Sequence, residues 1–140
     1  MIKETYSTKD TYNVGYELGS RAKPGQIYCL DGDLGVGKTV FTQGFAKGLG
    51  ISEMVNSPTF TIVKIYNAKI GCVSHFDLYR VNDSNELIEL GFDELISQSR
   101  VVIVEWPEIA KDYLVRKKLD ITITFDDKMN RVFQIEEKNE

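Results

Sequence analysis

The stretch "QIYCLDGDLGVGKTVFTQGFAKGLG", residues 26–50, decides how the chain is read. Its first part, "QIYCLDG", is a short continuous apolar run, the mark of a buried strand. Its last part, "KTVFTQGFAKGLG", repeats Phe41, Phe45 and Leu49 on one helical face and offers Gly50 as a C-cap. Between strand and helix stands "GDLGVGKT", residues 32–39.

Gly32, Gly37, Lys38 and Thr39 satisfy G-x-x-x-x-G-K-[ST], the phosphate-binding loop. Glycines let the backbone take positive φ and approach an anion with no Cβ in the way. Successive amides then point inward as an anion nest, and the helix starting at Lys38 aims its positive end at the same place. Lys38 reaches toward β and γ phosphates, and the Thr39 hydroxyl is the candidate Mg2+ ligand. The candidate cofactor-binding segment runs through Gly32, Asp33, Leu34, Gly35, Val36, Gly37, Lys38, Thr39 and Val40. A chance match in a chain of this length is roughly one in 200 at average residue usage, and the strand before and helix after the loop are the context that such a loop requires.

Working outward, "STKDTYNVGYELGSRA" opens with cap-type residues and spaces Val14 and Leu18 for a first helix ending near "KPG". "TFTIVKIYNAKIGCVSHFDLYR" is rich in β-branched and aromatic residues on both sides of "NAKIG" and predicts two strands in a hairpin. "DSNELIELGFDELI" predicts helix with a break at Gly91, and Asp83 with Glu86 carries the capping spacing. "VVIVEW" is a fully apolar strand ending in an acid, while "LDITITF" and "RVFQIEE" alternate in period two around "DDKMN". The mixture predicts a single α/β domain over 1–140, a three-layer P-loop NTPase-like fold with a mixed, partly parallel central sheet and a C-terminal β-hairpin.

A phosphate loop binds; hydrolysis also needs an acid for Mg2+ or its waters. In open α/β sheets that acid belongs at the carboxyl end of a buried strand. Glu105 ends "VVIVE" and Asp77 ends "CVSHFD", so these two and Lys38 are the candidate catalytic residues. The run before Glu105 would otherwise forbid a charge, which makes a metal or water the expected partner. Each acid also reads as an ordinary surface acid at a strand end. Thr59 and Thr61 in "SPTFT" stand on a segment stiffened by Pro58, where switch loops sense a γ-phosphate and where threonine also simply favours strand. Trp106, the only tryptophan, is placed to cover the site, to face a partner or to pack in the core. His75, the only histidine, reads as a packed strand residue.

A net charge of −4 argues against stand-alone nucleic-acid binding, which needs clustered cations. The basic cluster "RKK" at 116–118 reads as a solvated turn. Cys29 and Cys72 lie far apart in strand-like runs and read as reduced core residues. No apolar run reaches the roughly 18 residues that span a bilayer, and "MIKETYSTKD" is too polar for a signal peptide, so the expected location is the cytoplasm.

The ordered set "GDLGVGKT", "SPTFT", "HFDLYR", "ELGFDE" and "VEWPE" resembles the bacterial TsaE (YjeE) family over nearly the whole chain. The resemblance implies a small P-loop ATPase that binds ATP and Mg2+, hydrolyses ATP slowly by itself, and serves synthesis of N6-threonylcarbamoyladenosine in tRNA. It implies work with TsaD, which transfers the threonylcarbamoyl group, and with TsaB, so that tRNA is met through the complex. By the same resemblance Thr39 ligates Mg2+ and Glu105 is a second Mg2+ or water-positioning acid. Asp77 matches a position needed for activity, "SPTFT" resembles a switch loop, and Trp106 matches an aromatic near the site. Adenine is implied to rest outside the loop, against Thr8 and Arg131. Where many members carry a second threonine, this chain has Val40.

Two other classes compete. A GTPase would need N-K-x-D and D-x-x-G elements; neither occurs, which favours adenine. A small-molecule kinase usually needs several cations over the transferred phosphoryl, and the arginines are only Arg21, Arg80, Arg100, Arg116 and Arg131 with no arginine-rich lid segment. A module that holds ATP as a structural ligand is the remaining alternative. The sequence separates it poorly from a slow switch.

Overall fold

Ile27, Tyr28, Cys29 and Leu30 are all buried, on both faces of one strand, so this strand lies inside a sheet that is covered on both sides. The computed structural model describes residues 1–32, 37–53, 55–56, 58, 61–114 and 118–138. In chain order these form β1 (Ile2–Thr5), α1 (Thr8–Ser20), β2 (Gln26–Asp31), α2 (Lys38–Gly48), β3 (Val63–Ala68), β4 (Gly71–Asp77), α3 (Ser84–Leu90), α4 (Phe92–Gln98), β5 (Val101–Glu105), a 3-10 helix (Pro107–Tyr113), β6 (Lys118–Phe125) and β7 (Arg131–Lys138).

The sheet order is β1-β7-β6-β2-β5-β4-β3. Its middle is parallel: β2 pairs with both β5 and β6, and β4 with β5. Both margins are antiparallel, β3 on β4 at one side and β7 then β1 beyond β6 at the other. The expected α/β fold with a mixed, partly parallel sheet and a C-terminal hairpin is the observed one.

Side-chain alternation divides the core into two layers. Tyr28, Leu30, Val73, Val101, Ile103, Ile121 and Ile123 face α1 and α2. Ile27, Cys29, Phe76, Val102 and Val104 face α3, α4 and the 3-10 helix. By the same alternation His75, Asp77 and Glu105 fall on the α2 face.

α1 and α2 touch backbone to backbone. A Cβ on Gly15 would stand 2.1 Å from the Phe41 carbonyl oxygen, and one on Gly19 would stand 2.1 Å from that of Phe45. Reciprocally, Gly44 would meet the Tyr12 carbonyl at 2.0 Å and Gly48 that of Tyr16 at 2.3 Å. Glycines four apart on each helix thus form one close contact, which fixes how α2 lies on α1. α2 ends in a Schellman motif: Gly50 N–H donates to the Lys47 carbonyl and Ile51 N–H to that of Ala46, both at 3.0 Å, with Gly50 at φ +86°.

Some sequence expectations shift. The first strand of the hairpin begins at Val63 rather than within "TFT", because Thr61 and Ile62 N–H groups both turn back to the Pro58 carbonyl. Thr59 lies outside the described residues. The break at Gly91 is real and separates α3 from α4. Asp83 caps α3 through the Asn85 N–H, but Glu86 reaches back to Asn82 N–H rather than to the cap residue. Cys29 is buried and its thiol is pushed up to about 12, chiefly by burial, whereas Cys72 is only half-buried. Of "RKK", only Lys118 is described, as the first residue of β6. No helix among the described residues is long and apolar enough to cross a membrane.

Gly15→Ala should destabilise the protein by about 1–3 kcal/mol in denaturant unfolding, because the new methyl overlaps backbone that no rotamer change can move. A gain of about 1 kcal/mol, the intrinsic preference of a helix for alanine, would contradict the close contact.

Candidate functional site

The three parallel strands β2, β5 and β4 end level with one another. Leu30 pairs with Glu105, and Glu105 with Asp77, so both acids stand beside the point where β2 enters the phosphate loop. From β2 the chain crosses to β3 and β4 on one side and returns to β5, and from β5 it passes over to β6 on the other side of β2. Such a switch point opens a crevice at the carboxyl ends of the strands.

Gly37 is the N-cap of α2, in left-handed conformation with φ +106°, and as glycine it brings no side chain to cap the helix. A helix that starts in this way suits an external anion at its first turn. Lys38 is buried; its ammonium donates to the Gly32 carbonyl at 2.7 Å and lies 3.4 Å from the centre of the Trp106 ring. Thr39 is exposed and Val40 half-buried on the same turn. Asp33, Leu34, Gly35 and Val36 lie outside the described residues.

The two acids are both buried. Glu105 is 2% exposed and its carboxylate makes a 2.7 Å hydrogen bond with His75 Nε2. The sequence reading expects a metal or water beside this charge and takes His75 as packing; the structure adds His75 as a hydrogen-bond partner of the carboxylate. "HFD" shows in sequence only that His75 and Asp77, two apart on one strand, share a face; the partnership with Glu105 comes from the β4–β5 register. Asp77 Oδ1 accepts from the Tyr79 N–H at 3.0 Å, and its own N–H donates to the Ile62 carbonyl at 2.8 Å. That ties the strand end to the turn after "SPTFT". Ile62 holds φ +69° and Trp106 φ +56°, conformations that cost L-residues energy and that cluster where a site fixes the backbone.

"HFDLYR" and "VEWPE" interlock. Leu78 N–H donates to the Glu105 carbonyl at 3.1 Å, and the Tyr79 and Trp106 rings stand 5.0 Å apart. Trp106 is half-buried: it packs against the core layer of α3, α4 and the 3-10 helix, as the core reading expected, and its ring also carries the Lys38 ammonium. Arg131 also reaches the loop, since a Cβ on Gly37 would stand 2.7 Å from its Nε, and its guanidinium lies 5.6 Å from the Phe125 ring. Thr8 is exposed at the start of α1, in the segment following Thr5, which pairs with Arg131. Thr61 is exposed, with its hydroxyl turned to the Pro58 carbonyl at 3.5 Å.

A groove of about 320 Å3 on the opposite face runs between β6, β7 and the 3-10 helix. Lysines and acids mix along it and Lys138 pairs with Asp120 at 2.9 Å, so it presents no array converging on one ligand charge.

The sequence profile of the family described as "Threonylcarbamoyl adenosine biosynthesis protein TsaE" matches residues 5–133. The chain belongs to the TsaE family. Among its relatives is the tRNA threonylcarbamoyladenosine biosynthesis protein TsaE of Bacillus subtilis strain 168, 44% identical over 119 residues, covering 85% of this chain and 74% of that protein. The protein of the same name from Rickettsia typhi is 33% identical over 134 residues, covering 95% and 92%. The fold matches a crystal structure of Bacillus subtilis YdiB with a TM-score of 0.81 and 34% identity, over 96% of this chain and 83% of that one. The TsaE match spans every motif described above.

Because Trp106 is the only tryptophan, its emission reports the Lys38 contact directly. Lys38→Ala should change the intensity or wavelength of that emission in the nucleotide-free protein. Superimposable spectra would contradict the contact.

Proposed function

We propose that this protein is an ATP-binding, slowly hydrolysing component of the bacterial machinery that makes N6-threonylcarbamoyladenosine in tRNA, acting as a nucleotide-dependent switch on a TsaD–TsaB complex. The relatives' names support the process. The observation that carries the nucleotide reading is the docking of Lys38 between the Gly32 carbonyl and Trp106, the residue next to Glu105. One ammonium, one buried carboxylate and an uncapped helix start thereby meet at the ends of parallel strands.

The donor set fits a triphosphate with Mg2+. Gly37 keeps the entry to α2 free of a side chain, and Lys38 holds an ammonium at a fixed place beside it. Thr39 is exposed and supplies a hydroxyl, the Mg2+ ligand of this reading, and Glu105 supplies a carboxylate for the metal or its water. When bound, the ion neutralises charge on the phosphates. Glu105 orients the attacking water; Asp77, with Tyr79 N–H on one oxygen, fixes the neighbouring strand end. Trp106 screens the ammonium from solvent. Arg131, against Gly37, and Thr8 are contacts for the nucleoside end. Val40 takes the position of a second threonine, so one hydroxyl serves here.

A nucleotide-gated surface needs a sheet, a phosphate loop and a part that changes shape. On this reading that part is the "SPTFT" segment, which leads into Ile62, whose carbonyl accepts from the Asp77 N–H.

Lys38→Ala should weaken ATP binding about ten- to a hundredfold, the worth of a charge-assisted hydrogen bond of about 1.5–3 kcal/mol. Glu105→Ala should abolish hydrolysis and leave ATP affinity within a few-fold, measured by calorimetric titration and phosphate release. Unchanged affinity in the first variant, or unchanged turnover in the second, would overturn the assignment of that residue. By linkage, a partner that prefers one nucleotide state shifts nucleotide affinity by the same factor. Adding TsaD with TsaB should therefore change this protein's ATP affinity or turnover, and identical kinetics with and without them would argue against the switch.

A further inference from the structure

The geometry points to His75 as the positioning residue for Glu105, an inference that rests on the ATPase reading above. His75 is 1% exposed and sits one pleat back from Asp77 on β4, across from Ile103 of β5. Its Nε2 meets Glu105 Oε2 at 2.7 Å, and this is the one hydrogen bond of that carboxylate among the described residues. A carboxylate that holds a metal or its water is ionised and only accepts, so this role requires the hydrogen on Nε2.

The other ring nitrogen is the informative one. Nδ1 is buried with no hydrogen-bond partner, one of two such side-chain atoms among the described residues, the second being the Tyr66 hydroxyl. An imidazole that leaves one polar atom unsatisfied in a packed interior costs more to bury than a leucine or phenylalanine in the same space. Val73 and Ile103, its neighbours on this face, show what the position holds when packing alone decides. The polar ring is therefore explained by what its one bond does.

That bond selects between the two oxygens of Glu105. With Oε2 held by the ring, the carboxylate cannot rotate freely about its last torsion, and Oε1 is the oxygen left for a water or metal. Groups that orient a ligating or water-holding carboxylate in this way are worth about 10–100-fold in activity or metal affinity when removed. They act by fixing geometry and not by binding nucleotide. His75 touches neither phosphate nor base in this scheme, and the phosphate amides and Lys38 are unaffected by its loss.

The chain has a single histidine, so its ring nitrogens give one resolvable pair of NMR signals in 15N-histidine-labelled protein. The expected spectrum is that of the Nε2–H form, with signals that shift on Glu105→Gln and again on adding Mg2+ with a non-hydrolysable ATP analogue. A ring in the Nδ1–H form, or signals indifferent to Glu105→Gln, would overturn the inference without any appeal to turnover. In kinetics, His75→Leu should lower kcat about 10–100-fold with nucleotide affinity within about threefold. His75→Gln, whose amide nitrogen reaches the place of Nε2, should recover much of that loss at matched thermal stability. Turnover of His75→Leu equal to the unmodified protein, or a His75→Gln no better than His75→Leu, would sink the positioning role. Glu105→Gln run in parallel separates the two claims. If it keeps turnover, the ATPase reading of Glu105 fails; if it loses turnover while His75→Leu does not, only the positioning inference fails.

Discussion

Parallel pairing of β2, β5 and β4 to a common end is the constraint on which the rest depends. Each parallel ladder fixes register along its length: that of β2 and β5 places Leu30 opposite Glu105, and that of β5 and β4 places Glu105 opposite Asp77. A slip of one residue would turn both acids and His75 to the other face, into the layer of Phe76, Val102 and Val104. Burial on both faces makes such a slip prohibitively costly. The core thus sets the chemistry's coordinates: hydrophobic residues along three strands decide which polar residues meet at their ends.

The helix that carries Lys38 is aimed by a separate device. The reciprocal glycine contacts between α1 and α2 let two backbones touch, and the Schellman motif at Gly50 stops α2 where it must turn away. At its other end α2 begins on Gly37, which brings no side-chain cap and holds a φ of +106° that a serine or aspartate would adopt only with strain. Stability is forgone where an anion is to be received. The same trade is visible at Ile62 and Trp106, held at positive φ beside the acids, and at His75, buried with one nitrogen unmatched.

The sequence made the strand–loop–helix legible because that signal is local: an apolar run, glycines at fixed offsets, then a helical period. Gly91 as a break and the C-terminal hairpin were readable for the same reason. β1 was not, since "IKET" has little apolar content and forms a strand only because β7 offers it an edge. The glycine pairs in α1 and α2 were also silent, because spacing of four on one helix gains meaning only when the other helix is known to lie against it. His75 was read as packing for a related reason. A lone histidine in an apolar strand says nothing until the register brings a particular carboxylate to its ring.

The central claim is that Lys38, the start of α2 and Glu105 form one site for a nucleoside triphosphate and its metal. A crystal structure of the protein grown with Mg2+ and a non-hydrolysable ATP analogue tests it most directly. The account predicts phosphates at the first turn of α2, Lys38 drawn onto them, and the free Glu105 oxygen turned to the metal or its water. Phosphates bound elsewhere, or Glu105 turned away from the ion, would contradict it.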